Sequence, residues 1–241
     1  MSYFNIYNNK TIFVTGHTGF KGSWLITWLN KLGAKVIGIS NSLPSDPCNF
    51  EASNLSKVVN DQRLDIRDFD SLNKLFHLYK PDFIFHLAAQ ALVRQSYEYP
   101  LDTISSNAMG CANILEAIRI YDRPIIGVII TSDKVYQNME WNKGYVEDDK
   151  IGGKDPYSAS KGMTELMISS YVESFFNKPN KEIRIGIARA GNVIGGGDWA
   201  KDRLVPDCIR AWSKSEIVNI RYPNSTRPWQ HVLEPISGYL T

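Results

Sequence analysis

"TIFVTGHTGFKGSWLITWLNKLG", residues 11–33, decides the fold. Residues 11–16 are an unbroken apolar strand pattern. Residues 21–33 follow helical spacing and close on Gly33. Between them Gly16, Gly19 and Gly22 are spaced G-x-x-G-x-x-G. Glycines there permit a tight turn and a close backbone approach. The helix start behind them offers free N–H groups and a positive dipole end, which suit a pyrophosphate. Strand, glycine turn and helix in this order predict a dinucleotide-binding unit, with Gly16, Thr18, Gly19, Phe20 and Gly22 as cofactor contacts. A purely structural turn is the competing reading.

The same alternation continues outward. "KVIGIS" (35–40) reads as a second strand, and a short third lies within 53–65. Residues 67–79 read as a helix, "DFIFHLAA" (82–89) as a fourth strand and 100–121 as a long helix. "IIGVIITS" (125–132) is a fifth strand, 155–176 a helix opening on Asp155 before Pro156, and "IRIGIARAG" (183–191) a sixth strand. Continuous apolar strands between amphipathic helices imply a parallel sheet covered on both faces, an α/β doubly wound Rossmann fold. The predicted division is a Rossmann domain over 1–191 and, over 192–241, the start of a smaller, loop-rich substrate region. The chain's last residues, "EPISGYLT", read as the opening of a helix, so the expectation is a chain shorter than its fold.

Composition narrows the function class. The 241 residues are 43% hydrophobic and 22% charged, with 27 Lys and Arg against 25 Asp and Glu and a net charge of +2. There is no long block of like charge, so no nucleic-acid footprint is expected. Three widely spaced cysteines, Cys48, Cys111 and Cys208, make neither a disulfide framework nor a metal pattern, which suits the cytoplasm. No metal is expected. No signal peptide and no membrane-spanning run is read.

In such sheets ligands bind beyond the carboxyl ends of the strands. There the fifth strand runs into "TSDK", Thr131 to Lys134. This is either a polar loop with a solvated Asp133–Lys134 pair or a set of groups that meets a substrate. "YSASK" places Tyr157 and Lys161 on one face of a helix. A tyrosine is a poor base at neutral pH, with an ordinary pKa of about 10. A cation one turn away favours its phenolate, so the pair is suited to taking a proton from a hydroxyl while hydride leaves the same carbon.

The second strand ends in Ser40 and Asn41, with neither acid nor arginine, so this position does not choose between NAD and NADP. Asp65 is either an adenine contact or a helix cap. Ala88 and Ala89 leave room for a cofactor ring or simply pack well. His17 and Lys21 are unusual in a glycine turn. Lys21 is expected near the cofactor phosphates, or as a solvated lysine at the helix start. Arg94, Asn192, Arg203, Arg221 and Arg227 are candidates for a second pyrophosphate, since the guanidinium fork donates two parallel bonds. Trp199 or Trp229 faces a base or packs a lid. His231 is given no role.

Together "VTGHTGFKGSWL", "HLAAQALVRQSY", "TSDKVY", "YSASK", "RAGNVIGGGDW" and "RPWQHV" make the chain resemble the extended short-chain dehydrogenases/reductases (the NAD-dependent epimerase/dehydratase family) over almost its whole length. The closer resemblance is to their CDP-glucose 4,6-dehydratase branch. The resemblance implies NAD as cofactor and CDP-glucose as substrate. It implies oxidation at C4 with the proton passing to Tyr157, loss of the C5 proton and of the C6 hydroxyl as water, and return of the same hydride to C6. It makes Asp133 the acid and Lys134, where relatives acting on other nucleotide sugars carry Glu, the C5 base. Ser132 or Thr131 would bond the C4 oxygen. Asn192 and Arg227 are the best carried-over substrate contacts, with Arg203 and Arg94 behind them. The resemblance also implies a homodimer or homotetramer and a setting in deoxysugar synthesis for O-antigen and lipopolysaccharide. Two alternatives stand: another nucleotide-sugar epimerase or dehydratase, and a truncated NAD-binding protein without activity.

Overall fold

The computed structural model describes residues 3–121, 123–178 and 182–241. Six parallel strands form the central sheet: β1 (Thr11–Thr15), β2 (Lys35–Ser40), β3 (Asn60–Arg63), β4 (Phe83–His86), β5 (Ile125–Ile130) and β6 (Ile183–Ala188). Their order is β3-β2-β1-β4-β5-β6, so the chain winds outward first one way from β1 and then the other. The reversal falls between β1 and β4, which pair directly, Phe13 against Ile84 and Thr15 against His86. The doubly wound sheet expected from the alternation of elements is present.

Helices follow in chain order as α1 (Phe20–Lys31), α2 (Asn49–Ala52), α3 (Phe69–Tyr79), α4 (Val93–Glu98), α5 (Pro100–Ile104), α6 (Gly110–Ile120), α7 (Pro156–Tyr171), α8 (Leu204–Trp212) and α9 (Leu233–Leu240). Two buried clusters sandwich the sheet. On one face Phe13, Ile37, Ile39, Ile84, Ile125 and Ile129 meet Leu72 and Phe76 of α3, Ile114 and Ile118 of α6, and Ile168 of α7. On the other, Ile12, Val14, Phe85 and Ile130 meet Leu25, Ile26 and Leu29 of α1 and Ile236, Tyr239 and Leu240 of α9. Neighbours along a strand point to opposite faces, and over β1, β2 and β4 both faces are covered, which is why those strands are apolar without alternation.

Two helices depart from simple periodicity. The expected helix over 100–121 is α5 and α6 joined by a π turn over Ser105–Met109. The expected helix over 155–176 is α7 followed by a second π turn, Val172–Phe176. A π turn is still helical, so helix-forming residues and apolar spacing mark the segment as helix without marking its one wider turn. Asp155 caps α7 as expected, accepting from the Ser158 amide at 2.9 Å. The cap of α3 is Asp68, which accepts from the Ser71 amide at 3.1 Å, and not Asp65.

Residues 192–241 do not stand apart from the sheet. A small parallel pair, β7 (Asn192–Ile194) and β8 (Trp229–His231), frames α8. Then α9 turns back to pack on α1, and the Tyr7 hydroxyl donates to the Leu240 carbonyl at 2.9 Å.

Candidate active site

The glycine turn closes on itself. Gly16 has φ +70°, and a Cβ there would lie 2.7 Å from the Ala88 amide nitrogen. A Cβ on Gly22 would lie 2.1 Å from the Gly16 carbonyl oxygen, and one on Gly19 3.1 Å from the same atom. Only glycine lets β1, the turn and α1 come this close. No side chain caps α1, whose N-cap is Gly19. The Thr18 hydroxyl donates to the Ser42 carbonyl at 2.8 Å and ties the turn to the end of β2. The partly buried Phe20 packs with the cluster around α1. Across the reversal, the Ala88 amide donates to Thr15 Oγ1 at 3.2 Å, and that hydroxyl lies 2.7 Å from His86 Nδ1. Burial pushes the His86 pKa down to about 3, so this imidazole is neutral. These residues fit a dinucleotide: a turn stripped of side chains, an uncapped helix start and a small-residue strand end beside it.

The unusual turn residues are also placed. His17 is fully buried, its ring against Gly38 of β2 and edge-on to Phe50, with Nε2 3.0 Å from Asp61 Oδ1. Burial lowers its pKa. Lys21 lies 3.4 Å from the Tyr239 hydroxyl, to which it donates. Burial, Lys161 and Arg203 lower its amine to about 8, with Asp133 opposing, so it shares the electric field of the catalytic candidates. Asp65 is held by Arg67, which donates to both its carboxylate oxygens at 3.0 Å and also bridges to Asp102 at 2.7 Å.

At the end of β5 the polar groups part company. Thr131 is buried, and its hydroxyl donates to Glu165 Oε1 at 2.6 Å. Ser132 caps the short turn Asp133–Val135, accepting from the Lys134 amide at 3.3 Å and donating to Asp133 Oδ1 at 3.0 Å. Ser132 is also close enough to Tyr157 to lower the phenol's pKa. The structure thus brings Ser132, Asp133 and Tyr157 together and turns Thr131 into the interior. Lys134 Nζ is 3.5 Å from Asp133 Oδ1, each side chain about one-third exposed (34% and 31%).

Tyr157 and Lys161 are both buried on α7. Burial raises the tyrosine's pKa, with Ser132 and Arg203 pulling it down. The phenol of the free protein is therefore neutral, and among the forces that lower it Arg203 is the named cation. Burial drops the Lys161 amine from 10.5 to about 8, opposed by Cys111 and Glu165.

The other candidates lie further out. Arg94 and Arg221 both donate to Asp202 Oδ1, at 2.8 and 3.1 Å, and Arg203 to Asp198 Oδ2 at 3.0 Å. Arg227 is exposed and bonds the Thr226 carbonyl, while the Asn192 amide donates to the Pro228 carbonyl at 3.0 Å. Trp199 and Trp229 are exposed, and the Leu233 amide donates to His231 Nδ1 at 3.3 Å.

Several residues around the site were given no role by the sequence, Ser96 among them although it lies within "HLAAQALVRQSY". The Tyr157 amide donates to Ser96 Oγ at 3.2 Å. Asn107, in the first π turn, donates to Ser160 Oγ at 2.9 Å and exchanges bonds with the Gln90 backbone. Glu165 falls four residues beyond Lys161, so the spacing that pairs Tyr157 with Lys161 also contains it.

Residues 13–237 match the family model described as GDP-mannose 4,6 dehydratase. The chain belongs to this family. It is 51% identical over 239 residues to the CDP-glucose 4,6-dehydratase of Salmonella typhimurium, a match covering 98% of this chain and 67% of that protein. Among solved structures, the epimerase of Methanothermobacter thermautotrophicus superposes with TM-score 0.83 at 25% identity, covering 100% of this chain and 69% of that one. The UDP-glucuronic acid 4-epimerase of Bacillus cereus, solved with UDP-glucuronic acid and NAD, gives 0.80 at 25% identity, covering 95% and 71%. The family thus contains dehydratases and neighbours epimerases. Among the described residues no helix is long and apolar enough to cross a membrane, and no cluster of ligating side chains would hold a metal.

Proposed function

We propose that the chain catalyses the NAD-dependent dehydration of CDP-glucose to CDP-4-dehydro-6-deoxyglucose. One observation carries this reading: an acid and an amine, Asp133 and Lys134, follow Ser132 directly at the end of β5, beside Tyr157. A simple oxidation or epimerisation at C4 has no use for that extra pair. Expulsion of water from C5 and C6 needs both a base and an acid. The 51% identity to a CDP-glucose 4,6-dehydratase supports the same substrate.

NAD, when bound, supplies the acceptor for the C4 hydride and donates it back to C6. Gly16, Thr18, Gly19, Phe20 and Gly22 would hold its pyrophosphate side, with Asp65, Ala88 and Ala89 toward the adenine and the ring. The protein's own groups do the rest. Tyr157 must first give up its own proton; as phenolate, favoured by Arg203, it receives the C4 hydroxyl proton, and Ser132 orients that oxygen. Lys161, one turn along α7, is proposed as a second cation for the phenolate. The C4 ketone then acidifies the C5 proton, which Lys134 removes, and Asp133 protonates the departing C6 hydroxyl. To do so Lys134 must be the free amine and Asp133 the carboxylic acid: the Lys134 ammonium passes its proton to the Asp133 carboxylate 3.5 Å away, and a sugar entering between them then separates the neutral pair. Arg94, Arg203, Arg227 and Asn192 are proposed for the nucleotide diphosphate. A cytoplasmic homodimer or homotetramer acting in deoxysugar synthesis is the proposed setting.

The test is turnover of CDP-glucose deuterated at C4 with NAD supplied. Deuterium at C6 of a 4-keto-6-deoxy product is the expected result. NAD binding without product from either this chain or one extended to the relatives' length would overturn the substrate assignment.

A further inference from the structure

The segment that carries Ser132, Asp133 and Lys134 is tied at both ends to a single ion pair. At its start the Thr131 hydroxyl donates to Glu165 Oε1 at 2.6 Å. At its end Arg189 Nη1 donates to the Tyr136 hydroxyl at 2.7 Å. The two anchors are themselves joined. Arg189 Nε donates to Glu165 Oε1 and Oε2 at 2.9 and 3.1 Å, and Nη2 donates to Oε2. The Glu165 side chain is 2% exposed and that of Arg189 17%. Arg189 also donates to the Glu147 carbonyl at 3.1 Å and lies over the Tyr136 ring at 4.7 Å. That ring stacks on Tyr145, with centroids 5.0 Å apart.

One guanidinium therefore links α7, the exit of β5, the end of the catalytic turn and the connection beyond it. A buried ion pair adds little net stability, because desolvation offsets its attraction. Its two partners do fix geometry, since each hydrogen bond here ends on a charged group and is correspondingly directional. Glu165 also opposes the loss of the proton from Lys161, one turn away.

We propose that Glu165 and Arg189 are positioning residues: a staple across Thr131 and Tyr136 that holds Ser132, Asp133 and Lys134 in register with Tyr157. The inference rests on the function proposed above and adds to it residues that need not touch the substrate. A staple acts on the turn and leaves α7 in place. Its loss slows elimination, which needs both Asp133 and Lys134, more than C4 oxidation, which keeps Tyr157 and Lys161 and loses only part of the help from Ser132.

Tyr136→Phe removes one anchor and keeps the ring stack. Its elimination rate should fall about 10-fold, the worth of one hydrogen bond, with KM changed less than about 2-fold. Arg189→Lys keeps the charge but cannot span three acceptors, and should fall about 100-fold, the cost of a misplacement near 1 Å. In both variants a single turnover should lose less rate in NAD reduction than in elimination, and so accumulate the 4-keto intermediate. Amide exchange over 131–136 should accelerate about 10-fold with the thermal midpoint of Tyr136→Phe unmoved. Wild-type elimination in both variants, or equal loss of C4 oxidation, overturns the proposal. If the wild-type chain does not turn over CDP-glucose, the functional reading fails, and exchange alone then decides the staple. Acceleration confined to 131–136 supports it. Unchanged protection, or acceleration throughout the chain, overturns it.

Discussion

Asp133 and Lys134 neutralise each other in the free protein at 3.5 Å, and their separation by a substrate is the step on which the proposed elimination depends. Lys134→Ala should leave NAD affinity and C4 oxidation intact and lower the dehydration rate by about 10²- to 10⁴-fold, the usual contribution of a positioned acid or base. Product formation from CDP-glucose, followed by NMR, checks this, and near-normal dehydration would remove Lys134 from the mechanism. Lys161 makes a separate prediction. Its folded-state pKa, about 8, lies below the ordinary 10.5. Between those values the unfolded chain binds the extra proton, so this group makes the fold more stable as pH rises through that window. The cost of burying its charge is fully present below about pH 8. A ¹³C titration of the lysine side chains should show two resonances with midpoints near 8, from Lys21 and Lys161, of which Lys161→Met removes one. A midpoint near the ordinary value would contradict its burial.

The glycine turn and α1 act as one element, because the carbonyl of Gly16 sits where a Gly22 side chain would go. Gly22→Ala should weaken NAD binding by at least about 10-fold, as the helix start is pushed from the strand end that must receive the pyrophosphate. Isothermal titration with NAD checks it, and unchanged affinity would mean the cofactor does not use this turn. Asp155 is the matching feature of α7. Asp155→Ala removes the N-cap two residues before Tyr157 and should cost about 0.5–2 kcal/mol in urea unfolding. Elements like these were legible in the sequence because glycine spacing and Asp-Pro at a helix start are local signals. The π turn at Ser105–Met109, and with it Asn107, was not, since helix-forming composition marks a segment as helix and not the one turn within it that takes an extra residue. Nor was Arg189, whose partners Glu165, Tyr136 and Glu147 come from three other places in the chain. Tyr157 and Lys161 were visible as a pair, but the net rise of the tyrosine's pKa depends on burial, which spacing does not report.

At the scale of the molecule, the boundary expected at residue 191 separates connectivity more than packing. The strand order and the apolar strands gave the doubly wound sheet from sequence because burial on both faces leaves a continuous signal. The return of α9 left none, since an eight-residue amphipathic helix does not say which surface it will meet. In the structure Val232 and Ile236 are fully buried against the α1 side of the sheet, in one cluster with Leu25 and Leu29. Within 192–241, Val232 and α9 thus complete the core of the sheet, while α8 keeps Leu204, Ile209 and Trp212 exposed. Ile236→Ala should lower stability by about 2–5 kcal/mol, the cost of a buried aliphatic truncation with its cavity. If 192–241 were an independent unit, that loss would appear as an early, separate transition, with the sheet unfolding at its wild-type urea midpoint. Because α9 shares its buried cluster with β1 and α1, the whole transition should move instead. Tryptophan fluorescence and far-ultraviolet circular dichroism should shift together, with an unchanged slope against urea.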